Sequence, residues 1–343
     1  MQINLAIDAM SGDLGPRTNI AGVLLALLHD PLLSVTLVGK KSLLETLLLQ
    51  HHLSCEFAAR IYLLASDDVI GMDEAPASAL RNRKQSSMHL AVKLVAQNLC
   101  QGVVSAGNTG ALMLISRHYL GMLSGIERPA ISTAIPTYKG RSYLLDIGAN
   151  IACQPEHLLQ FALMGSVMVS RVEGKVKPRV ALLNVGHEAI KGNSLVKEAA
   201  NLMNQHSCLN YVGYIEGDKI FNGDVDLVVC DGFTGNTVLK TSEGLARYLS
   251  GQIQGLFHQN GYSRLVGFMA KPLLQRLKQQ MDPVRYNGGS FLGLQGCVVK
   301  SHGNADAKGF SFAIMRAAIE ARQGLAAHLQ LAMKKQHLPN ETC

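Results

Sequence analysis

The sequence predicts an α/β fold in which a mostly parallel sheet is covered on both faces by helices. Two observations carry this. Short apolar, β-branched runs alternate along the chain with stretches of helical spacing. Three of those runs, at residues 3–10, 103–106 and 227–230, each lead into a Gly-x-x-Gly turn and then into a helix.

The elements follow in order. Residues 3–9 read as a strand. A helix at 16–29 opens on Pro16, which suits a first turn. Residues 35–38 are a strand, 42–50 a helix capped by Ser42, and 61–65 a strand. Residues 67–79 are polar and contain proline, and read as a loop over the site. An amphipathic helix at 87–101 precedes the strand 103–106 and a helix at 109–120. Strands at 130–136 and 142–147 form a hairpin through Tyr138, Lys139 and Gly140. A helix at 155–172, a strand at 180–185, a helix at 194–205 and a strand at 211–215 lead to the strand 227–230. Asp231 and Gly232 end that strand, Gly235 closes its turn, and a helix runs over 236–248. Residues 249–282 carry no strand and read as a protruding helical pair, broken at 255–262. Residues 1–336 make one α/β domain, and 337–343 a frayed tail.

A Gly-x-x-Gly turn commonly serves only backbone geometry. Three of them at strand-to-helix junctions predict one anion pocket built from several loops. Ligands of open parallel sheets lie at the carboxyl ends of strands, and the free N–H groups of a helix start favour an anion. No turn has the Gly-x-Gly-x-x-Gly or Walker lysine pattern, so no dinucleotide or nucleoside triphosphate is signalled.

The chain has 343 residues, nearly half hydrophobic, and a net charge of +7. No apolar run approaches the ~20 residues of a membrane span. The first ten residues lack a basic n-region, so no signal peptide is expected. Seven cysteines without a C-x-x-C pair point to reduced thiols in a cytoplasm. The positive charge suits an acidic protein or an anionic membrane surface. Nucleic acid is not expected, because the longest basic run is Arg81-Asn82-Arg83-Lys84 and aromatic residues are few.

Taken together, AIDAMSGDLGP (6–16), ALRNRKQSSM (79–88), SAGNTGAL (105–112), LLDIGANIACQPEHLLQFALMG (144–165), ALLNVGHEAIKGN (181–193), DLVVCDGFTGNTVLKTSEG (226–244) and KSHGNADAKGF (300–310) resemble the bacterial phosphate acyltransferases of the PlsX family from end to end. That resemblance implies a three-layer sandwich with a Rossmann-like sheet of the isocitrate and isopropylmalate dehydrogenase kind. It implies formation of acyl-phosphate from long-chain acyl-[acyl carrier protein] and inorganic phosphate, early in phospholipid synthesis, without a cofactor. It further implies a homodimer, peripheral contact with the membrane from the cytoplasm, and a downstream acyl-phosphate:glycerol-3-phosphate acyltransferase. The family usually has Met-Gly-Gly-Asp in its first turn, where this chain has Met10-Ser11-Gly12-Asp13. A left-handed backbone at that position would strain the serine.

Acyl transfer to phosphate needs the anion positioned, the oxyanion stabilised and the leaving thiolate assisted. Gly107, Asn108, Thr109 and Gly110 can donate to phosphate, as can Gly235 and Asn236 from a facing loop. Gly12, Asp8 and Asp231 are assigned to the same pocket. The resemblance points to Lys191 of the K-G-N motif and Asn236 of G-F-T-G-N as the catalytic pair. Alone, Lys191 would read as a solvated lysine and Asn236 as a helix cap. Asp8, Asp146 and Asp231 raise the question of a cation, but single aspartates at such turns ordinarily satisfy backbone N–H groups, so no metal is assigned. Cys230 ends an apolar strand and reads as a small hydrophobe rather than a nucleophile. Leu265, Val266, Phe268 and Met269, flanked by Arg264 and Lys271, suit shallow insertion into an anionic surface, or a dimer interface. The rival activities are phosphate acetyl- or butyryltransfer from acyl-coenzyme A and an isopropylmalate-type dehydrogenase. The rival of another class is a non-catalytic scaffold for lipid-synthesis enzymes at the membrane.

Overall fold

Eleven strands form one continuous sheet in the computed structural model, which describes residues 1–281 and 286–336. Position 282 and the tail 337–343 lie outside the described residues. The first part of the chain gives β1 (Ile3–Asp8), α1 (Gly15–His29), β2 (Leu33–Gly39), α2 (Lys41–Leu49), α3 (Cys55–Ala58), β3 (Ile61–Ala65), α4 (Pro76–Asn82), α5 (Ser87–Ala96), β4 (Gly102–Ser105) and α6 (Thr109–Leu120). A hairpin of β5 (Ala130–Thr137) and β6 (Gly140–Leu145) leads to α7 (Pro155–Glu173), β7 (Val180–Leu183), α8 (Ser194–Asn204), β8 (Tyr211–Ile215) and β9 (Leu227–Val229). Then come α9 (Gly232–His258), α10 (Gly261–Met281), β10 (Gly289–Leu292), β11 (Cys297–Lys300), α11 (Ala307–Arg322) and α12 (Leu325–Gln336).

The strand order is β3-β2-β1-β4-β11-β10-β5-β6-β9-β7-β8. Pairing is parallel everywhere except at β11–β10, β10–β5 and β5–β6. These three antiparallel pairs reverse the strand direction, so the sheet is two parallel halves joined through the middle. Alternation along each strand sends residues to opposite faces. Leu5, Ile7, Val35 and Leu37 face α1 and α11, while Ala6, Val38 and Val103 face α5 and α6. In the other half Leu145, Leu182 and Val229 face α7 and α8, and Leu144, Ala181 and Val228 face the opposite side. The sandwich of helix, sheet and helix expected from the sequence is present.

Several elements differ from expectation, each for a local reason. The end of the expected loop, from residue 76, is instead the start of α4, which runs to Asn82 and is opened by Pro76 in its first turn. The cap residue of α2 is Lys40, not Ser42. Asp231 caps α9, which therefore begins at Gly232, and the third Gly-x-x-Gly is the first turn of a helix rather than a loop. The same helix runs on to His258, so the first member of the helical pair is its outer half. Beyond Gly235 no residue of α9 is buried.

Candidate active site

Asp8 ends β1 with its carboxylate fully buried. Oδ1 accepts the Ser87 hydroxyl at 2.6 Å, and Oδ2 accepts those of Ser11 at 2.5 Å and Ser105 at 2.7 Å. Ser105 Oγ in turn accepts the Gly107 N–H at 3.0 Å. Asp8 thus ties β1, α5 and β4 together and shapes the first two glycine turns from beneath. Ser11 is unstrained, because the left-handed residues of this turn are Gly12, with φ +99°, and Gly15, with φ +69°. The two turns touch: a Cβ on Gly107 would lie 2.9 Å from Ser11 Cβ.

Asn108 caps α6, its Oδ1 accepting the Ala111 N–H at 3.0 Å. Its Nδ2 donates to the carbonyls of Met72 at 2.8 Å and Glu74 at 3.0 Å. The segment 67–75 therefore does lie over this turn, pinned by Asn108 and by Arg83, which bridges Asp68 and Glu74 at 3.2 Å each. The Asn108 side chain is fully engaged, which leaves Thr109, exposed at the helix start, and the backbone N–H groups of the turn as donors.

In the other half, Asp146 follows β6 and is buried. It accepts the N–H groups of Ile131, Gly148, Ala149 and Asn150 and the Asn150 side-chain amide. Burial pushes its carboxyl up, against the pull of these donors. Gly232 N–H donates to the Asn150 carbonyl at 2.7 Å. Gly235 lies so close to the Asp146 carbonyl that a Cβ would meet it at 1.9 Å. This contact requires glycine at 235 and holds the start of α9 on the 146–150 loop. Asp231 caps the helix by accepting the Thr234 N–H at 2.9 Å and hydroxyl at 2.7 Å. Asn236 comes next on α9, and a Cβ on Gly148 would lie 3.8 Å from its own Cβ.

The aspartates considered as metal ligands are thus each occupied by hydrogen-bond donors. Among the described residues no three His, Cys, Asp or Glu side chains converge on one point. Cys230 is buried with its thiol pushed well up, and Cys153 is pushed up to about 11, both first by burial. Neither supplies a thiolate near neutral pH.

One turn beyond Asn236, Lys240 shares its helix face and bonds Glu243 at 2.9 Å. Glu243 Oε1 lies 3.5 Å from His302 Nε2, which belongs to the loop after β11. Lys300 ends β11, donating to the carbonyls of Ala106, at 3.3 Å, and Ser301. Burial pushes its ammonium down to about 8, with Asp13 and Asp8 opposing and Lys240 adding to the fall. α9 of one half thus meets the loop after β11 of the other through Glu243 and His302, with the Lys240 and Lys300 ammonium groups within electrostatic reach of each other. Lys191 stands apart. It lies on an exposed loop after β7, its Nζ 2.9 Å from Glu188 Oε2, and that carboxylate holds its pKa up. Among the described residues no hydrogen bond or ion pair joins it to Asn236.

The chain matches the family described as "Fatty acid synthesis protein" over residues 3–328. It is 52% identical over 325 residues to a phosphate acyltransferase of Pseudomonas fluorescens, covering 95% of this chain and 96% of that one. A phosphate acyltransferase of Pseudomonas syringae is 51% identical over 326 residues, with 95% of each covered.

This chain belongs to the phosphate acyltransferase family.

Among solved structures, a phosphotransacetylase from Streptococcus pyogenes superposes with TM-score 0.62 at 15% identity, covering 94% of each chain. A 4-hydroxythreonine-4-phosphate dehydrogenase from Klebsiella pneumoniae gives 0.54 at 16% identity, covering 94% of this chain and 98% of that one. At these identities the likeness is one of fold. Within the family frame, sequence reasoning passed over Lys300 and His302, although both lie in the K-S-H-G motif it had singled out. It also passed over the 146–150 loop as the seat of α9. Leu265, Val266, Phe268 and Met269 lie on α10, all exposed. Among the described residues no helix is long and apolar enough to cross a membrane.

Proposed function

We propose that this acyltransferase moves a long-chain acyl group from acyl-[acyl carrier protein] to inorganic phosphate, with Asn236 and Lys191 as the catalytic pair. The observation that carries this reading is the seat of Asn236, on the first turns of α9 and against Gly148. A side-chain amide there can donate to the oxygen of a tetrahedral intermediate, and the helix start beneath it favours that charge.

Phosphate is already an anion, so it attacks the thioester carbonyl carbon without a protein nucleophile. That agrees with the un-ionised state of Cys230 and Cys153. The tetrahedral oxyanion then collapses, the carbon–sulfur bond breaks, and the departing thiolate takes a proton from the Lys191 ammonium. Phosphate binding is assigned to the N–H groups of Thr109 and Gly110 and to Gly12 of the adjoining turn, with the Gly107 N–H given instead to Ser105 Oγ. Asp8 and Asp231 serve that pocket by fixing its turns. The outer half of α9 with α10 is assigned to a membrane surface or a second copy of the chain, because its apolar side chains have no cover within the described residues.

The test is formation of acyl-phosphate from palmitoyl-acyl carrier protein and inorganic phosphate, trapped with hydroxylamine, with palmitoyl- and acetyl-coenzyme A in parallel. Phosphate-dependent product from the carrier-protein thioester is expected. Product from acetyl-coenzyme A alone would assign the chain to acetyl transfer. No product from any donor, in folded protein, would favour the scaffold.

A further inference from the structure

A cleft of about 400 Å³ lies between α6 and the start of β5, separate from the glycine turns. Met113 and Leu114 give it an apolar wall, Arg117 and Arg128 a cationic end, and Ala149 and Asn150 its floor. The guanidinium of Arg117 has no hydrogen-bond or ion-pair partner among the described residues, while Arg128 spends one N–H on the Ala152 carbonyl at 3.0 Å. Glu127 also reaches the rim, but its Oε2 is turned to His157 Nε2 at 2.9 Å. Two guanidinium groups thus line the cleft with N–H groups uncommitted, and guanidinium is the side chain best matched to a phosphate oxygen pair.

The floor of this cleft is the loop that seats α9. Asn150 holds Asp146 and accepts from Gly232, and Gly148, two residues earlier, adjoins Asn236. At the other end, Arg117 is eight residues along α6 from Thr109, about 12 Å of helix axis. It is therefore too distant to share an inorganic phosphate bound at that turn. The cleft offers two parts of an extended ligand a place, an anion at Arg117 and Arg128 and an apolar stretch along Met113 and Leu114, and its floor residue Ala149 follows Gly148, which adjoins Asn236.

We propose that this cleft binds the phosphorylated pantetheine arm of the acyl donor, with Arg117 and Arg128 on its phosphate. The assignment deepens the acyl-donor reading above and rests on it. The same arm occurs on acyl carrier protein and within coenzyme A, and the assay separates the two sources.

The experiment compares palmitoyl-phosphopantetheine with palmitoyl-pantetheine, which lacks only the phosphate, and adds palmitoyl-acyl carrier protein and palmitoyl-coenzyme A. In Arg117→Gln the ratio of kcat/KM for the phosphorylated over the unphosphorylated donor is expected to fall about tenfold, through KM, as for a lost charge-assisted hydrogen bond. Arg117→Lys should recover part of it. Arg128→Gln should act likewise. If loss of its Ala152 contact unfolds that variant, Arg117 carries the test alone. An equal fall with carrier-protein and coenzyme A donors assigns the shared arm. A fall with the carrier protein alone assigns its phosphodiester. An unchanged ratio, or a fall seen only with coenzyme A, overturns the proposal. If the unsubstituted protein transfers from no donor, the acyl-donor reading fails. Calorimetric titration with 4′-phosphopantetheine and pantetheine then decides the cleft by itself, and equal affinities overturn it.

Discussion

Glu243 on α9 approaches His302, two residues beyond β11, to 3.5 Å and so joins the two halves of the sheet. Desolvation and the nearby Lys240 and Lys300 ammonium groups hold the His302 imidazole below its usual range, while Glu243 pulls it up. Glu243→Gln removes the one anion in this set, so the His302 pKa is expected to fall further. An NMR titration of the ring C–H signals reads this directly. An unchanged or raised value would show that the two residues do not meet in solution.

Asn236→Ala and Lys191→Ala are each expected to fold normally and to lose about a hundredfold in kcat, the scale for a lost oxyanion donor or general acid. Circular dichroism and acyl-phosphate turnover measured on the same samples check both halves of the statement. Undiminished turnover in either variant removes that residue from the mechanism.

Cys230→Ala and Cys153→Ala are expected to retain turnover, since burial keeps both thiols protonated. The Cys230 variant should lose a little thermal stability, because its Sγ is buried 3.6 Å from the Asp146 carbonyl. Abolished turnover in either variant would point to an acyl-enzyme.

Lys300 gives a pH signature. Its pKa is about 8 in the folded chain against an ordinary 10.5. Between those values the unfolded chain binds more protons, so this group adds stability as pH rises through the window. Below about 8 it is charged in both states and its burial cost is at its full value. Comparison of the parent with Lys300→Met by urea unfolding should show the parent gaining about 2 kcal/mol on the variant between pH 7.5 and 9.5. A difference independent of pH would place the Lys300 ammonium in water.

Phe268 is three-quarters exposed on α10 (75%) beside Met269 and Leu265. Phe268→Glu is expected to weaken flotation with anionic liposomes and to leave turnover of soluble donors intact. Equal flotation of parent and variant would end the membrane assignment and favour a contact between chains.

The first two glycine turns were legible in the sequence because they interrupt clear periodicity, strand before and helix after. The third was misjudged as a loop. Glycines at 232 and 235 look like turn residues, yet here they are helical, and they are required by the close approach of the Asn150 and Asp146 carbonyls. Such a contact between distant segments leaves no local mark. The strands β10 and β11 went unplaced; β10 reads Gly-Ser-Phe-Leu with glycines on either side and has no β-branched residue to mark it. Lys300 could not be told from a surface lysine until β11 was set between β4 and β10. Asn108 was legible as a polar residue of the turn, but its commitment to Met72 and Glu74 depends on how 67–75 folds back.

The pairing of β11 with β4 and of β10 with β5 bears on how the chain is made. Without residues 289–300 the sheet is two pieces, β3-β2-β1-β4 and β5-β6-β9-β7-β8, each with an open edge. On a ribosome those edges on β4 and β5 wait, able to pair with other chains, until nearly the whole polypeptide has emerged. Completion of the sheet is therefore among the last events of biosynthesis, and a fragment ended before β10 would carry Asn236 and the glycine turns on two sheets that no strand joins.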